Sequence, residues 1–230
     1  VNRLQPMIDK ARAQSHEVML HIPMEPLNSS IHPGPKTLRT SMSRAEIQQN
    51  LLDNLGRAQG YVGINNHMGS KVTQDSSAMD SVMRILLDKG LMFVDSRTIN
   101  SSVALKYARL NGVPSETRDI FIDHHADPEF IASQLAKTEK IAKRKGFAIA
   151  IGHPYPETFN ALANWLPGLK DKGLSLSPVT SIIQKPQIAA VDADQNISPA
   201  DKSKELSPGP SGENARLYRP LRPIPVKAVR

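Results

Sequence analysis

Six short apolar runs limit what this chain can fold into more than any other feature. They are EVMLHI (17–22), YVGI (61–64), LMFVD (91–95), DIFI (119–122), FAIAI (147–151) and LSLSP (174–178). Strands that read as runs rather than as strict alternation are covered on both faces, which is the situation inside a parallel sheet or barrel. Helical patterns separate the runs, so the order is one helix, five strand–helix units and a last strand. That order predicts an α/β fold with a parallel sheet or a barrel.

Local signals mark the helices. Leu4, Met7, Ile8 and Ala11 recur at helical spacing within 3–14. Pro23 and Pro26 are expected to stop the first strand, and 27–42 reads as a polar loop rich in Pro, Gly and Ser. Ser43 and Glu46 form a capping box that opens a helix through Leu55, with Gly56 to close it. Thr73 or Asp75 caps a helix carrying Met79, Val82, Met83, Leu86 and Leu87 on one face, and Gly90 ends it. A helix is expected across 101–110. Asp127 followed by Pro128 is an N-cap with proline at the first helical position, and that helix runs to Lys145 and Gly146. Another is expected across 157–170, around Trp165.

From residue 186 the character changes. Seven prolines fall in the last 45 residues, in runs such as NISPADKSKELSPGPSG and RPLRPIPVKAVR. The reading is therefore one domain over 1–185 and a disordered Pro-rich tail over 186–230 that could serve a protein partner. The formal charge of +7 is spread thinly over both parts, and only 4% of residues are aromatic. No basic–aromatic interleaving offers a base-stacking platform, so nucleic acid is not an expected partner. The densest basic cluster (Lys137, Lys140, Lys143, Arg144, Lys145) lies at the end of one helix, where cations suit the dipole. The absence of cysteine removes disulfides, thiolate nucleophiles and Cys-ligated zinc. No apolar run approaches the length that crosses a bilayer, and the first residues do not resemble a signal peptide.

Ionisable residues collect where the strands end. His21 ends the first, His67 follows the second, and Asp95 ends the third ahead of Ser96 and Arg97. Asp123, His124 and His125 follow the fourth, and His153 follows the fifth after Gly152. Carboxyl ends of parallel strands are where α/β folds build their sites. Imidazoles with a carboxylate suit zinc or a similar divalent ion, which could activate water and polarise a carbonyl. Glu25 lies four residues after His21 and could face the same site if PMEP makes a helical turn. Adjacent histidines on an extended segment point apart, so only one of His124 and His125 can serve such a site. Asn65 and Asn66 can shape the loop around His67. His16 reads as a surface residue and His32 as a loop residue.

The segments HEVMLHIPMEP (16–26), GINNHMGSKVT (63–73), FVDSRT (93–98) and AIAIGHPYPET (149–158) give the chain a resemblance to the divergent polysaccharide deacetylases, relatives of the NodB-like carbohydrate deacetylases. The resemblance covers roughly 1–185. It implies a NodB-like irregular seven-stranded β/α barrel with its site at the strand carboxyl ends. In better-known members one aspartate and two histidines hold the metal, the histidines four residues apart. His21 with Glu25 resembles that pair with glutamate in place of the second histidine, and His67 lies where those enzymes carry an arginine-containing loop. Asp95 and Arg97 resemble an orienting pair, and His153 resembles the late histidine that acts as general acid. Asn66, Asp123 and His124 complete the expected pocket as substrate-binding residues.

The pattern of the family begins with a strand ending in an Asp-Asp pair that supplies a general base and a metal ligand. No segment here matches it, so the barrel is expected to be amino-terminally incomplete. The implied activity is metal-dependent removal of acetyl groups from an envelope polysaccharide, with zinc the expected ion and the periplasm or envelope the implied location. The competing readings are a noncatalytic glycan- or envelope-binding protein on the same barrel, and a scaffold that acts through its tail.

Overall fold

The computed structural model describes residues 4–183. Helix α1 (Leu4–Ala13) leads into β1 (Met19–Met24), α2 (Arg44–Leu55), β2 (Gly63–Met68), α3 (Ser76–Lys89), β3 (Met92–Asp95) and α4 (Ala104–Leu110). Then come β4 (Ser115–Thr117), β5 (Ile120–Phe121), α5 (Pro128–Lys145), β6 (Ala150–Ile151), α6 (Pro156–Trp165) and a last turn, α7 (Val179–Ile182). The helix ends obey their local signals. Ser43 and Glu46 satisfy each other's backbone N–H groups at the start of α2. Asp75 caps α3 through the Ala78 N–H at 2.8 Å, and Asp127 caps α5 through the Phe130 N–H at 2.7 Å. Helix α6 stops at Trp165 and continues as two 3-10 turns, because Pro167 cannot donate the next helical bond.

All strand pairs are parallel. The first four strands form one sheet in chain order, and β5 pairs with β6 in a second, two-stranded sheet. The chain crosses from one sheet to the other at residues 118–119. There the Arg118 N–H donates to the Asp95 carbonyl and the Asp119 N–H to that of Ile149. The described residues thus hold six strands, and three expectations need correction. LSLSP is not a strand: 174–178 runs in irregular conformation to α7 with Leu176 exposed, since a Leu–Ser alternation supplies a strand's period but no neighbouring edge takes it up. β4 was not anticipated, because its Ser-Glu-Thr sequence is polar, and it exists through pairing with Phe93–Asp95. β1 and β2 both outrun their apolar segments. Pro23 is tolerated because β1 is outermost in its sheet, and Asn65, Asn66 and His67 pair with His21, Ile22 and Pro23.

The four-stranded sheet is covered on both sides. Leu20, Ile22, Met24, Ile64 and Phe93 point to one face and pack under α2, α3 and α4 with Leu51, Met79, Val82, Met83 and Leu86. Met92 and Val94 point to the other and meet Ile149 and Ile183. A third apolar cluster, Ile122, Ile131 and Leu135, joins α5 to the small sheet, with Trp165 against it. The expected tail, 186–230, lies outside the described residues.

Candidate active site

Side chains alternate along a strand, so register decides which of the expected site residues share a face. His21 is paired with Asn65, and Asn65 with Val94. His21, Asn65, His67 and, just past β3, Ser96 therefore fall on the face opposite the helices α2–α4. Asn66 and Asp95 fall on the helix side with Ile64 and Phe93.

The imidazoles of His21 and His67 meet on the first of these faces. His21 Nε2 and His67 Nδ1 are 3.0 Å apart, with the rings edge to face. Crowding at the rim removes water from His21 and lowers its pKa from the ordinary 6.5; a hydrogen bond to the Asn65 side chain opposes this, and the charges of His67 and His153 reinforce it. The ring is held toward its neutral form, the form that ligates metal.

Glu25 does not join them. Its carboxylate accepts the Thr40 N–H at 2.9 Å and the Thr40 hydroxyl at 3.1 Å, and pairs with Lys71 at 3.0 Å. Partial burial pushes the carboxyl up, but the bonds from Thr40 and Lys71 outweigh it and hold the group below its usual range. The Glu25 carbonyl also accepts the Lys71 and Val72 N–H groups. Glu25 thus ties the 36–40 loop to the 69–72 turn. Among the described residues no three His, Asp or Glu side chains stand close enough together to hold one ion. Of the three expected ligands, His21 and His67 stand together and Glu25 stands apart from them.

Asn66 and Asp95 are also committed to the fold. Asn66 is wholly buried; it accepts the Ser96 N–H at 2.8 Å and donates to the Met68 carbonyl at 2.7 Å. It thereby holds Met68 and Gly69, whose φ angles are 55° and 87°. The buried Asp95 carboxylate accepts the Arg97 N–H at 2.7 Å and the Ser102 hydroxyl at 2.6 Å. The Arg97 side chain is exposed and the backbone there has φ 48°. The Asp95 carboxylate therefore braces the loop through the Arg97 N–H and the Ser102 hydroxyl, and Asn66 braces the turn at Met68 and Gly69.

The orienting carboxylate is Asp123. Its side chain has no solvent exposure. Oδ2 accepts the His153 N–H and the Thr158 hydroxyl, the latter at 2.8 Å, and Oδ1 lies 3.1 Å from His153 Nδ1. The geometry continues the β5–β6 register, which pairs residues thirty apart, one step beyond Ile122 and Gly152. Only glycine fits at 152, since a Cβ would lie 2.6 Å from Ile122 Cγ1. His153 keeps half its side chain in solvent, with Nδ1 backed by the carboxylate and Nε2 left for the cleft. Asp123 thus holds the His153 ring and the Thr158 hydroxyl. His124 is exposed, tilted against Phe121 and edge-to-face with His125, and Phe121 also meets His153.

Three residues escaped the sequence reading. Thr158 sits in the first turn of α6, aimed back at the strand ends; its signal is the PYPET segment that follows His153. Tyr155, in the same segment, lies with its ring centroid 5.2 Å from that of His153, the rings tilted, and leaves 43% of its surface exposed. Arg118 donates to the Ser96 and Arg97 carbonyls and lies 5.4 Å over the Phe121 ring, fastening the loop after β3 to the second sheet. Desolvation, with the charge of Arg97, lowers its pKa against the opposing pull of Asp95.

Comparison with known proteins places the chain among relatives. The chain is 34% identical over 226 residues to the uncharacterized protein YibQ of Escherichia coli (strain K12), covering 97% of this chain and 68% of that protein. It is 37% identical over 163 residues to an uncharacterized protein of Haemophilus influenzae, covering 70% of this chain and 58% of the relative. A crystal structure of an uncharacterized protein from Agrobacterium tumefaciens C58 superposes with a TM-score of 0.77 at 27% identity, covering 79% of this chain and 74% of that one. Residues 1–183 match the family described as divergent polysaccharide deacetylase, and the chain belongs to that family.

Proposed function

We propose that the chain carries the site of a metal-dependent hydrolase that removes acetyl groups from an envelope polysaccharide, on an open β/α barrel of which the two parallel sheets are arcs. The observation that supports this most is the Asp123–His153 pair, on the same rim as the His21–His67 pair and near enough for its charge to act on His21. His21 Nε2 and His67 Nδ1 would hold the ion, zinc or a similar divalent metal. Such an ion polarises an acetyl carbonyl and acidifies water. His153, held by Asp123 through Nδ1, delivers a proton from Nε2 to the leaving amine or hydroxyl oxygen. Tyr155 offers the sugar ring a stacking face.

Glu25, Asp95 and Asp123 are all internally bonded, so none of these three is the base that activates water in this reading. The proposed setting is the periplasm or envelope. Among the described residues no helix is long and apolar enough to cross a membrane. The same internal bonding favours a second reading, glycan binding without turnover.

The test is elemental mass spectrometry on the full-length protein after refolding with zinc, beside acetate release from an acetylated glycosaminoglycan oligomer. The hydrolase reading expects near-stoichiometric zinc lost in His21→Ala, and acetate release lost in His153→Ala. Glycan binding by calorimetry with neither zinc nor acetate release overturns it in favour of the second reading.

A further inference from the structure

Within a helix a threonine hydroxyl commonly donates to a carbonyl three or four residues back. Thr158, buried in the first turn of α6, donates instead to Asp123 Oδ2 at 2.8 Å, across to the end of β5. The His153 N–H donates to the same oxygen. Oδ1 is left to one partner, His153 Nδ1 at 3.1 Å. Gly152 keeps the approach to Oδ2 open, since a Cβ there would stand 3.0 Å from it. The Asp123 side chain is sealed from solvent, so water adds no further donor. The torsion that turns a carboxylate about its Cβ–Cγ bond is soft, and only bonds to fixed groups hold it. Here the fixed groups are the backbone at 153 and the start of α6, and both act on Oδ2.

We infer that Thr158 is a positioning residue: its hydroxyl, with the His153 N–H, holds Oδ2 in place, so that Oδ1 is presented to His153 Nδ1 alone and the ring stays turned with Nε2 toward the cleft. The proton delivery this serves rests on the hydrolase reading above; the tether does not. The His153 side chain is half in solvent, so nothing else on that side fixes the ring so firmly. When Nε2 gives up its proton the ring becomes neutral and keeps the Nδ1 proton on Oδ1, so the tether outlasts the transfer. A purely structural role is a different case, in which Thr158 joins α6 to the strand ends through its methyl group and the hydroxyl is dispensable.

Proton spectra of full-length protein labelled with 15N at histidine, at about pH 8 where ordinary imidazoles are neutral, read the tether without turnover. The wild type is expected to show the His153 Nδ1 proton, and a hydroxyl proton from Thr158, both in slow exchange with water. Thr158→Val keeps the shape of the side chain and removes the donor, so the His153 Nδ1 proton is expected to exchange about tenfold faster, the effect of one lost hydrogen bond. Thr158→Ser loses the methyl group, keeps the donor and is expected to restore slow exchange. In acetate release from the acetylated oligomer, Thr158→Val is expected to lower kcat by about 10–100-fold with KM unchanged, and Thr158→Ser to recover most of it. A wild-type Thr158 hydroxyl in fast exchange, a Thr158→Val spectrum with His153 unchanged, or a Thr158→Ser variant as impaired as Thr158→Val overturns the inference. If the wild type releases no acetate while Thr158→Val still frees the Nδ1 proton, the positioning role stands and the hydrolase reading falls.

Discussion

Replacing Asp123 by alanine and by asparagine separates its structural task from its chemical one. The carboxylate is sealed from solvent and accepts three bonds, two of them at Oδ2 from the His153 amide and the Thr158 hydroxyl. Hydrogen bonds to a charged group contribute about 1.5–3 kcal/mol, and a buried donor left without a partner costs about 1–3 kcal/mol. The sum is not the expectation, because the His153 ring is half in water and recovers a partner after truncation. What remains orphaned is the amide and the hydroxyl, which sets the loss for Asp123→Ala at about 2–4 kcal/mol. Asp123→Asn retains one oxygen, and placed at the Oδ2 position it serves both of those donors, so its loss is about 1 kcal/mol. Its NH2 group then faces His153 Nδ1 and demands a lone pair there. The imidazolium, which carries N–H on both nitrogens, no longer fits, and proton delivery falls by about 10²–10⁴-fold, the usual contribution of a general acid. With a urea slope of about 2 kcal/mol per molar, the midpoint drops by about 1–2 M for alanine and about 0.5 M for asparagine, followed by circular dichroism. Acetate release then isolates the chemical loss. An alanine variant melting within about 0.3 M of wild type would show that the carboxylate does not hold this corner, and the assignment of Asp123 as the orienting group would be wrong.

The other predictions concern the rim and its supports. Because the folded state lowers the His21 pKa from 6.5, the unfolded chain binds the extra proton first as pH falls. Stability is therefore lost as pH drops below about 6.5 toward the depressed value, and His21→Asn should flatten urea midpoints between about pH 7 and pH 5; an unchanged slope refutes the shift. Gly69→Ala places a Cβ 2.8 Å from Met24 Cβ at a φ of 87° and should cost about 2–4 kcal/mol in the same titration, whereas a change below about 0.5 kcal/mol would mean the turn relaxes freely. Glu25→Gln should leave zinc stoichiometry intact and lower stability by about 1 kcal/mol, since Lys71 is half in solvent and the Thr40 bonds carry most of the effect; loss of zinc in this variant would restore Glu25 as a ligand.

What the sequence made legible was what short-range chemistry decides. Ser43 with Glu46, Asp75, and Asp127 with Pro128 each mark a helix start that the fold uses, because capping involves residues three apart and little else. β4 and the polar half of β2 were illegible because Ser-Glu-Thr and Asn-Asn-His have weak strand propensity and become strands only beside a paired neighbour. The failed strand at 174–178 is the converse, a pattern with no partner. The site was half legible for one physical reason. A strand buried on both faces carries no label for which face is which, so His21, Asn66 and Asp95 look alike as strand-end polar groups. Register then sends His21 to one side and Asn66 and Asp95 to the other. The Asp123–His153 partnership spans thirty residues and follows from β5–β6 pairing, which no local spacing encodes.

Environment divides the labour among the histidines that this register brings to the rim. His21 is desolvated and lies among other imidazoles, so both burial and neighbouring charge favour its neutral ring, whose lone pair is free for a metal or for the His67 proton. His153 has the opposite surroundings, a buried carboxylate behind Nδ1 and solvent before Nε2. In the proposed hydrolase one imidazole would offer an electron pair and the other would pass a proton, and acyl-group hydrolysis uses both. A glycan-binding protein needs neither. Such a protein gains nothing from a carboxylate sealed behind a half-exposed histidine, where a bond to water would fix the ring with less desolvation. The Asp123–His153 pair is therefore the feature that weighs toward turnover, even though Glu25 and Asp95 have been taken up by the fold.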